Sequence, residues 1–326
     1  MAAERTPPRV GLIGISGYGR IYLQMAREYH RRGELRLAAA VVINPQEEAA
    51  AVAELQAAGC EIFADYETML ARHRGQLDLC LIPTGIHWHT RMTRAALAAG
   101  ANVLVEKPLA GSTAEVESIR AAAAQAGKFV AVGFQDFHEA ATIWLKQELV
   151  RGVIGEVKSV RFLGLWPRAR SYFKRNNWAG KLAVDGVPVL DSPLNNAFAH
   201  FVNLSLFFAS PRAAESVAAK VESAELYRAH DIESFDTAVV RLKTPDGVEV
   251  WLGATHACKE TREPEIVISG TRGSIVWRHE RDVNLVDEHG EAQRREVSDS
   301  FVARHAMLTA VLQRLTDPTA LICGPE

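Results

Sequence analysis

Residues 102–108 read Asn102-Val103-Leu104-Val105-Glu106-Lys107-Pro108, an apolar run after Gly100 that stops abruptly on an acid, a base and a proline. A short apolar run bounded in this way predicts a buried parallel strand, because a strand covered on both faces has no polar alternation. Its carboxyl end then faces the crevice in which open α/β sheets bind ligands. A lysine at that point reaches a substrate oxygen or a cofactor. Outward from this strand the pattern alternates. Strands are predicted at Val10–Ile15, Leu35–Ile43, Glu61–Phe63, Leu77–Ile82 and Phe129–Phe134, and helices over Gly19–His30, Gln46–Ala58, Tyr66–His73, His87–Ala99 and Thr113–Gln125. That order means a doubly wound parallel sheet. Ser112-Thr113-Ala114-Glu115 is a capping box that starts the helix after Lys107.

Beyond about residue 135 the pattern changes, so one domain is expected over 1–135 and a second over 136–326. Helices are predicted at Glu139–Val150, near Pro193–Phe208 and near Arg304–Leu315, with an irregular stretch between the first two. Ala213–Val221, Thr237–Leu242, Val248–His256, Glu265–Ser269, Ser274–Arg278 and Asp282–Val286 read as antiparallel strands. Turns are marked by Pro245-Asp246-Gly247 and Gly270-Thr271-Arg272-Gly273. The chain stops at Leu321-Ile322-Cys323-Gly324-Pro325-Glu326 with apolar residues still appearing, the pattern of a chain that lacks a final element.

At 326 residues, with 48% hydrophobic and 23% charged, the chain is long enough for two cores. Its net charge of -2 creates no field that draws it to nucleic acid or anionic lipid. Cys60, Cys80, Cys258 and Cys323 lie too far apart in sequence for a paired zinc or redox motif and read as reduced, buried thiols. His87 and His89 lack the carboxylate or cysteine partners of a metal site, and no metal is expected. No apolar run approaches the roughly 20 residues of a bilayer span, and Met1–Arg9 has no cleavable apolar segment, so the cytoplasm is expected.

The first strand runs into Gly14-Ile15-Ser16-Gly17-Tyr18-Gly19 and then a helix, the context of a dinucleotide fingerprint. Gly14 and Gly19 hold the first and third glycine positions; Ser16 takes the second, followed at once by Gly17. The loop keeps the small residues that let backbone approach a pyrophosphate at a helix N-terminus. After the second strand, where an acid normally grips the adenosine ribose, stands Asn44, followed by Gln46, Glu47 and Glu48 and by no Arg or Lys. The cofactor is expected to be NAD or NADP, with a lean to NAD.

With this loop, Pro83-Thr84-Gly85-Ile86-His87 after the fourth strand, and Glu106-Lys107-Pro108 after the fifth, the chain resembles the glucose-fructose oxidoreductase, inositol dehydrogenase and rhizopine-catabolism (Gfo/Idh/MocA) family. The resemblance spans residues 9–135, continues through Ile154-Gly155-Glu156-Val157 and Asp191–Leu206, and fades beyond. It implies a Rossmann domain that binds the dinucleotide, then an α/β substrate-binding and oligomerisation domain on a large open, mainly antiparallel sheet. It implies that Lys107 is an active-site residue, that a cis peptide precedes Pro108, and that Pro83, Thr84, His87, Glu106 and Pro108 lie along the cofactor. A second family mark, Asp-x-x-x-His-x-x-Asp, fits His200 with Asn196 and Asn203 in place of both acids. On a helix these asparagines share a face with His200, without a carboxylate to stabilise an imidazolium. Asp191 is left to hold a substrate hydroxyl or close the helix start.

Between Glu156 and Asp185 there is no acid, while Lys158, Arg161, Arg168, Arg170, Lys174, Arg175 and Lys181 alternate with Trp166, Tyr172 and Trp178. Stacking faces and cationic forks suit a sugar or polyol, and an anionic one best. Arg168, Tyr172, Trp178, Asp191 and Asn196 are the expected substrate contacts. The expected activity is NAD(P)-dependent hydride transfer at a secondary alcohol of a sugar, inositol or related polyol, with Lys107 and His200 catalytic. A redox-assisted glycosidase and a non-catalytic sugar or dinucleotide sensor stand as alternatives. An open sheet face that needs cover suggests a homodimer or homotetramer.

Overall fold

The computed structural model describes residues Thr6–Pro325. The chain divides into two compact units, Met1–Gly133 with Val311–Pro325, and Phe134–Ala310. The first holds β1 (Arg9–Ile13), α1 (Gly19–Arg31), β2 (Arg36–Val41), α2 (Ala49–Ala57), β3 (Glu61–Phe63), α3 (Tyr66–Arg72), β4 (Leu79–Ile82), α4 (Ile86–Ala98), β5 (Asn102–Val105), α5 (Thr113–Ala126) and β6 (Val130–Val132). All six strands are parallel, in the order β3-β2-β1-β4-β5-β6. A strand order that runs outward in both directions from β1 and β4 places the connecting helices on both faces, which is why β4 and β5 carry no exposed side chain. Ser112 Oγ accepts from Glu115 N at 3.3 Å, so the capping box forms as read. The tail returns to this unit, where Val132 N donates to Cys323 O at 2.9 Å.

The second unit holds α6 (Ala140–Val150), β7 (Val157–Leu165), β8 (Ala183–Val184), β9 (Val187–Pro188), α7 (Ala199–Ala209), β10 (Lys220–Tyr227), β11 (Thr237–Lys243), β12 (Glu249–Thr255), β13 (Arg262–Gly270), β14 (Ser274–Arg278), β15 (Asp282–Val286), β16 (Ala292–Glu296) and α8 (Ser300–Arg314). Eight strands form one sheet, β10-β11-β12-β7-β13-β14-β15-β16, in which only β12 and β7 pair in parallel. One face is apolar at alternate positions (Val160, Phe162, Ile266, Ile268, Ile275, Trp277), and α7 packs on it, with the Phe201 ring 5.5 Å from Phe162.

Three expectations change, and one strand has no counterpart among them. The stretch read as irregular contains β7, the centre of the sheet; Lys158 and Arg161, three apart, mask its period of two and belong to this strand. The strand expected at Ala213–Val221 begins only at Lys220 and runs to Tyr227, and because every residue of this edge strand is exposed it shows no apolar alternation. β16 has no apolar alternation and gives no strand signal for the same reason. The helix expected at Pro193–Phe208 is broken: Pro193–Ala197 forms a wide π turn capped by Ser192, and α7 starts at Ala199.

Helix α7 is closed from the side by a lysine. Lys146 on α6, 1% exposed, donates from Nζ to Phe207 O and to Ser210 O, the latter at 2.6 Å. A cation there complements the negative end of the helix. Burial pushes its amine down to about 7. Trp277 is the largest fully buried side chain; its Nε1 donates to Thr142 Oγ1 at 3.1 Å and its ring lies 5.9 Å from Phe201. Trp277→Ala is expected to lower the unfolding free energy by about 3–5 kcal/mol through the cavity it leaves. Urea unfolding checks this, and a loss below about 1 kcal/mol would show that α7 and the sheet do not depend on this contact.

Candidate functional site

In the first unit β1, β4 and β5 are neighbours, so the loops after them, Gly14–Gly19, Pro83–Gly85 and Glu106–Pro108, adjoin along the carboxyl edge of the sheet. The first loop is a tight cradle. A Cβ on Gly19 would lie 2.5 Å from Gly14 O, and Gly14 has φ 96°, so neither position takes a side chain. Tyr18 projects into solvent beside it at 41% exposure. These residues fit a dinucleotide: a helix N-terminus bordered by bare backbone, with α1 beginning at Gly19. Ser16 Oγ donates to Asn44 Oδ1 at 2.9 Å, and the other end of that amide, Nδ2, donates to Glu47 Oε2 at 2.8 Å. The sequence shows no base near Asn44, yet α1 supplies one: Arg20 pairs with Glu48 at 2.8 Å. Local sequence could not show this, because the two residues come from different elements.

Glu106 is buried at the end of β5. Tyr22 Oη donates to its Oε1 at 2.7 Å and Lys107 N donates to its Oε2 at 3.1 Å. Gly133 leaves the room, since a Cβ there would meet Glu106 Oε1 at 2.7 Å. The Lys107–Pro108 peptide is cis, as the resemblance implies, and Lys107 itself is half-buried. His87 is half-buried in the first turn of α4, but the histidine that joins two loops is His89. Its Nδ1 lies 2.7 Å from Pro108 O and its Nε2 3.0 Å from Thr84 O. The sequence reading passes over His89 except as a metal candidate. Its burial and its carbonyl neighbours come from packing, so the local sequence carries no signal of this role.

In the second unit, the π turn puts His200 in the first turn of α7 instead of two turns along. Its ring meets Phe134 edge-on at 5.7 Å, and its Nδ1 lies 3.1 Å from Asp136 Oδ2. The expected partner Asn196 donates through Nδ2 to Asp191 Oδ1 at 2.7 Å. Asp191 also accepts from Gly180 N at 2.6 Å and thereby ties the 176–181 loop to the helix start, while Ser192 is the cap. Arg168 lies over the Tyr172 ring at 4.7 Å; Arg175 lies over the same ring at 3.6 Å and over Trp178 at 5.0 Å. The sequence-predicted aromatic and cationic residues are thus brought together, with the rings stacked by this chain's own guanidinium groups. Tyr172, Asp191 and Asn196 line a small cavity with Phe173 and His256. Missed in the sequence are Asp136 and His279, whose Nε2 lies 3.7 Å from Asp136 Oδ1.

Burial sets the protonation of these groups. His89, His138 and His256 are each pushed down to about 4, chiefly by desolvation, and Asp136 is pushed up to about 6 by the same cause. As pH falls from 6.5 toward 4 the unfolded chain takes up three imidazole protons that the folded chain refuses, while Asp136 takes one in the folded chain that the unfolded chain refuses. The histidines win. From these groups stability is expected to fall in that window by roughly 3 kcal/mol per pH unit, and His138→Gln is expected to flatten the slope by about 1.4 kcal/mol per unit. Urea midpoints between pH 7 and 4.5 check this; a midpoint constant over that range would show that the histidines are not neutral in the fold.

Comparison with known proteins follows the same division. The family description "Oxidoreductase family, NAD-binding Rossmann fold" matches residues 9–134, and "GFO/IDH/MocA C-terminal domain" matches residues 143–276. Among characterised proteins, the dTDP-3,4-didehydro-2,6-dideoxy-alpha-D-glucose 3-reductase of Streptomyces antibioticus is 31% identical over 120 residues, 37% of this chain and 36% of that protein. The match therefore spans about a third of that relative's length. The inositol 2-dehydrogenase/D-chiro-inositol 3-dehydrogenase of Shouchella clausii (strain KSM-K16) is 28% identical over 199 residues, 59% of this chain and 54% of that protein. Among solved structures, the WlbA dehydrogenase of Bordetella pertussis in complex with NADH and UDP-GlcNAcA superposes with a TM-score of 0.78 at 21% identity, covering 98% of this chain and 91% of that chain. That likeness is one of fold. The chain belongs to the Gfo/Idh/MocA family of oxidoreductases, with an NAD-binding Rossmann domain followed by the family's C-terminal domain.

Proposed function

We propose that this protein transfers a hydride between a nicotinamide cofactor and a secondary alcohol or ketone carbon of a sugar, inositol or related polyol. One observation carries the reading: Glu106-Lys107-Pro108 ends β5, which lies beside β4 and one strand removed from β1, the two strands whose loops form the cofactor cradle, with Lys107 N anchored on a buried carboxylate. The nicotinamide, held by the 14–19, 83–84 and 106–108 loops and by Asn44, supplies the hydride chemistry. Lys107 donates a hydrogen bond to the reacting oxygen, and His200 relays the proton of that oxygen. The matched reductase and dehydrogenase are named for a sugar and an inositol, which supports the substrate class.

NAD is favoured over NADP because Glu47 and Glu48 flank Asn44, and the Arg20 guanidinium is already paired with Glu48. An anionic substrate is favoured because Arg168, Arg170, Lys174, Arg175 and Lys181 gather in one segment and, among the described residues, none forms an ion pair. Arg168, Tyr172, Trp178, Asp191 and Asn196 are assigned to substrate contact or to shaping it. A homodimer or homotetramer would cover the second face of the large sheet, where Leu163, Val239, Trp251, Val267 and Val276 are part-exposed. A cytoplasmic setting fits the reduced thiols, three of which are buried, and no described helix is long and apolar enough to cross a membrane.

Lys107→Met is expected to lower kcat by at least about 100-fold and leave NADH affinity within about threefold. Fluorescence titration with NADH and NADPH, and turnover assays over sugars, uronates and inositols, read both quantities. Near wild-type turnover in this variant would remove Lys107 from the chemistry. Tight NADH binding by the wild-type protein without turnover of any substrate would establish a sensor instead of an enzyme.

A further inference from the structure

The histidine helix lacks both carboxylates of the family pattern, with Asn196 and Asn203 in their places. The fold brings one from elsewhere. Asp136, 4% exposed in the short turn Gln135–His138, sets Oδ2 3.1 Å from His200 Nδ1 and Oδ1 3.7 Å from His279 Nε2. His279 is flanked in turn by Glu280 at 3.8 Å and Glu263 at 4.0 Å, and Arg304 of α8 adds positive charge toward Asp136. His200 itself is 8% exposed and sits in the first turn of α7, where the helix dipole disfavours an imidazolium. A charged ring there needs a carboxylate within reach.

We propose that Asp136 is the positioning residue of His200, replacing the acid that Asn196 no longer supplies and holding the Nδ1 side of the ring so that Nε2 is the nitrogen that exchanges a proton with substrate. The inference rests on the reading of His200 as the proton relay. When the alcohol is oxidised, the hydride leaves carbon for the nicotinamide, the hydroxyl proton passes to His200 Nε2, and the imidazolium so formed is balanced by the Asp136 carboxylate. The carboxyl's elevation to about 6, set by burial and opposed by His279 and Arg304, leaves it ionised at neutral pH.

The test uses the full chain with NADH bound. Nitrogen-15 NMR of the wild-type protein, with the His200 signal assigned by its loss in His200→Gln, is expected to show neutral His200 as the Nδ1–H tautomer, the one a carboxylate at Nδ1 selects. In Asp136→Asn the His200 imidazole pKa is expected to fall by about 1–2 units, and kcat at pH 7 to fall about 10–100-fold with KM for substrate within about threefold. His279→Gln is expected to leave the His200 tautomer unchanged. An Nε2–H tautomer in the wild-type protein, or a His200 pKa that moves by less than about 0.3 units in Asp136→Asn, would overturn the assignment. The NMR readouts do not depend on turnover, so absence of activity across the substrate panel counts against the oxidoreductase reading and not against this pairing.

Discussion

The buried carboxylate of Glu106 organises the first unit. It takes a proton donor on each oxygen, Tyr22 Oη from α1 and Lys107 N from the turn after β5, and it occupies space that only a glycine at 133 leaves open. A carboxylate without those donors would cost several kcal/mol to bury. Satisfied, it binds two elements to one point, the helix that starts at the dinucleotide loop and the turn that carries Lys107, and it packs against the bare backbone of Gly133. His89 packs between the Pro108 and Thr84 carbonyls, and the single N–H of its neutral ring donates to one of them. Lys107 therefore stands on a backbone fixed from several sides, as its proposed contact with a reacting oxygen requires.

The second unit uses a different device. Its sheet is long and its helices few, so an aromatic layer of Phe162, Phe198, Phe201, Trp166 and Trp277 fills the space between β7, β14 and α7. The titratable groups Asp136, His200 and His279 lie against that layer, with Phe201 5.1 Å from His279 and 6.2 Å from His200. Low polarity around them strengthens each electrostatic contact and makes an unpaired charge expensive. The π turn at Pro193–Ala197 matters here: it resets the helix so that His200 comes at its start, near the Gln135–His138 turn.

Legibility followed the source of each signal. The strand ending at Val105, the fingerprint loop and the capping box at Ser112 were readable because each is written in contiguous residues whose burial or hydrogen bonding is local. Strand β7 was hidden by Lys158 and Arg161, and β10 and β16 by full exposure, because the period of two appears only where one face is buried. Among site residues, Lys107 and His200 stood out by pattern. Asp136 did not, since an acid between Gln135 and Phe137 after a strand end has no spacing rule that relates it to residue 200.

The sequence by itself determined the alternating parallel sheet, the family, the cofactor loop and the lysine at the strand end, because backbone periodicity and short-range turn chemistry decide all of these. Only the tertiary structure decided which groups face one another: Arg20 with Glu48, Ser16 with Asn44, His89 with two carbonyls, and Asp136 with His200 and His279. The physical reason is that a charge pair needs only proximity. Residues 64 positions apart, like Asp136 and His200, acquire that proximity from packing, and packing leaves no periodic trace in the chain.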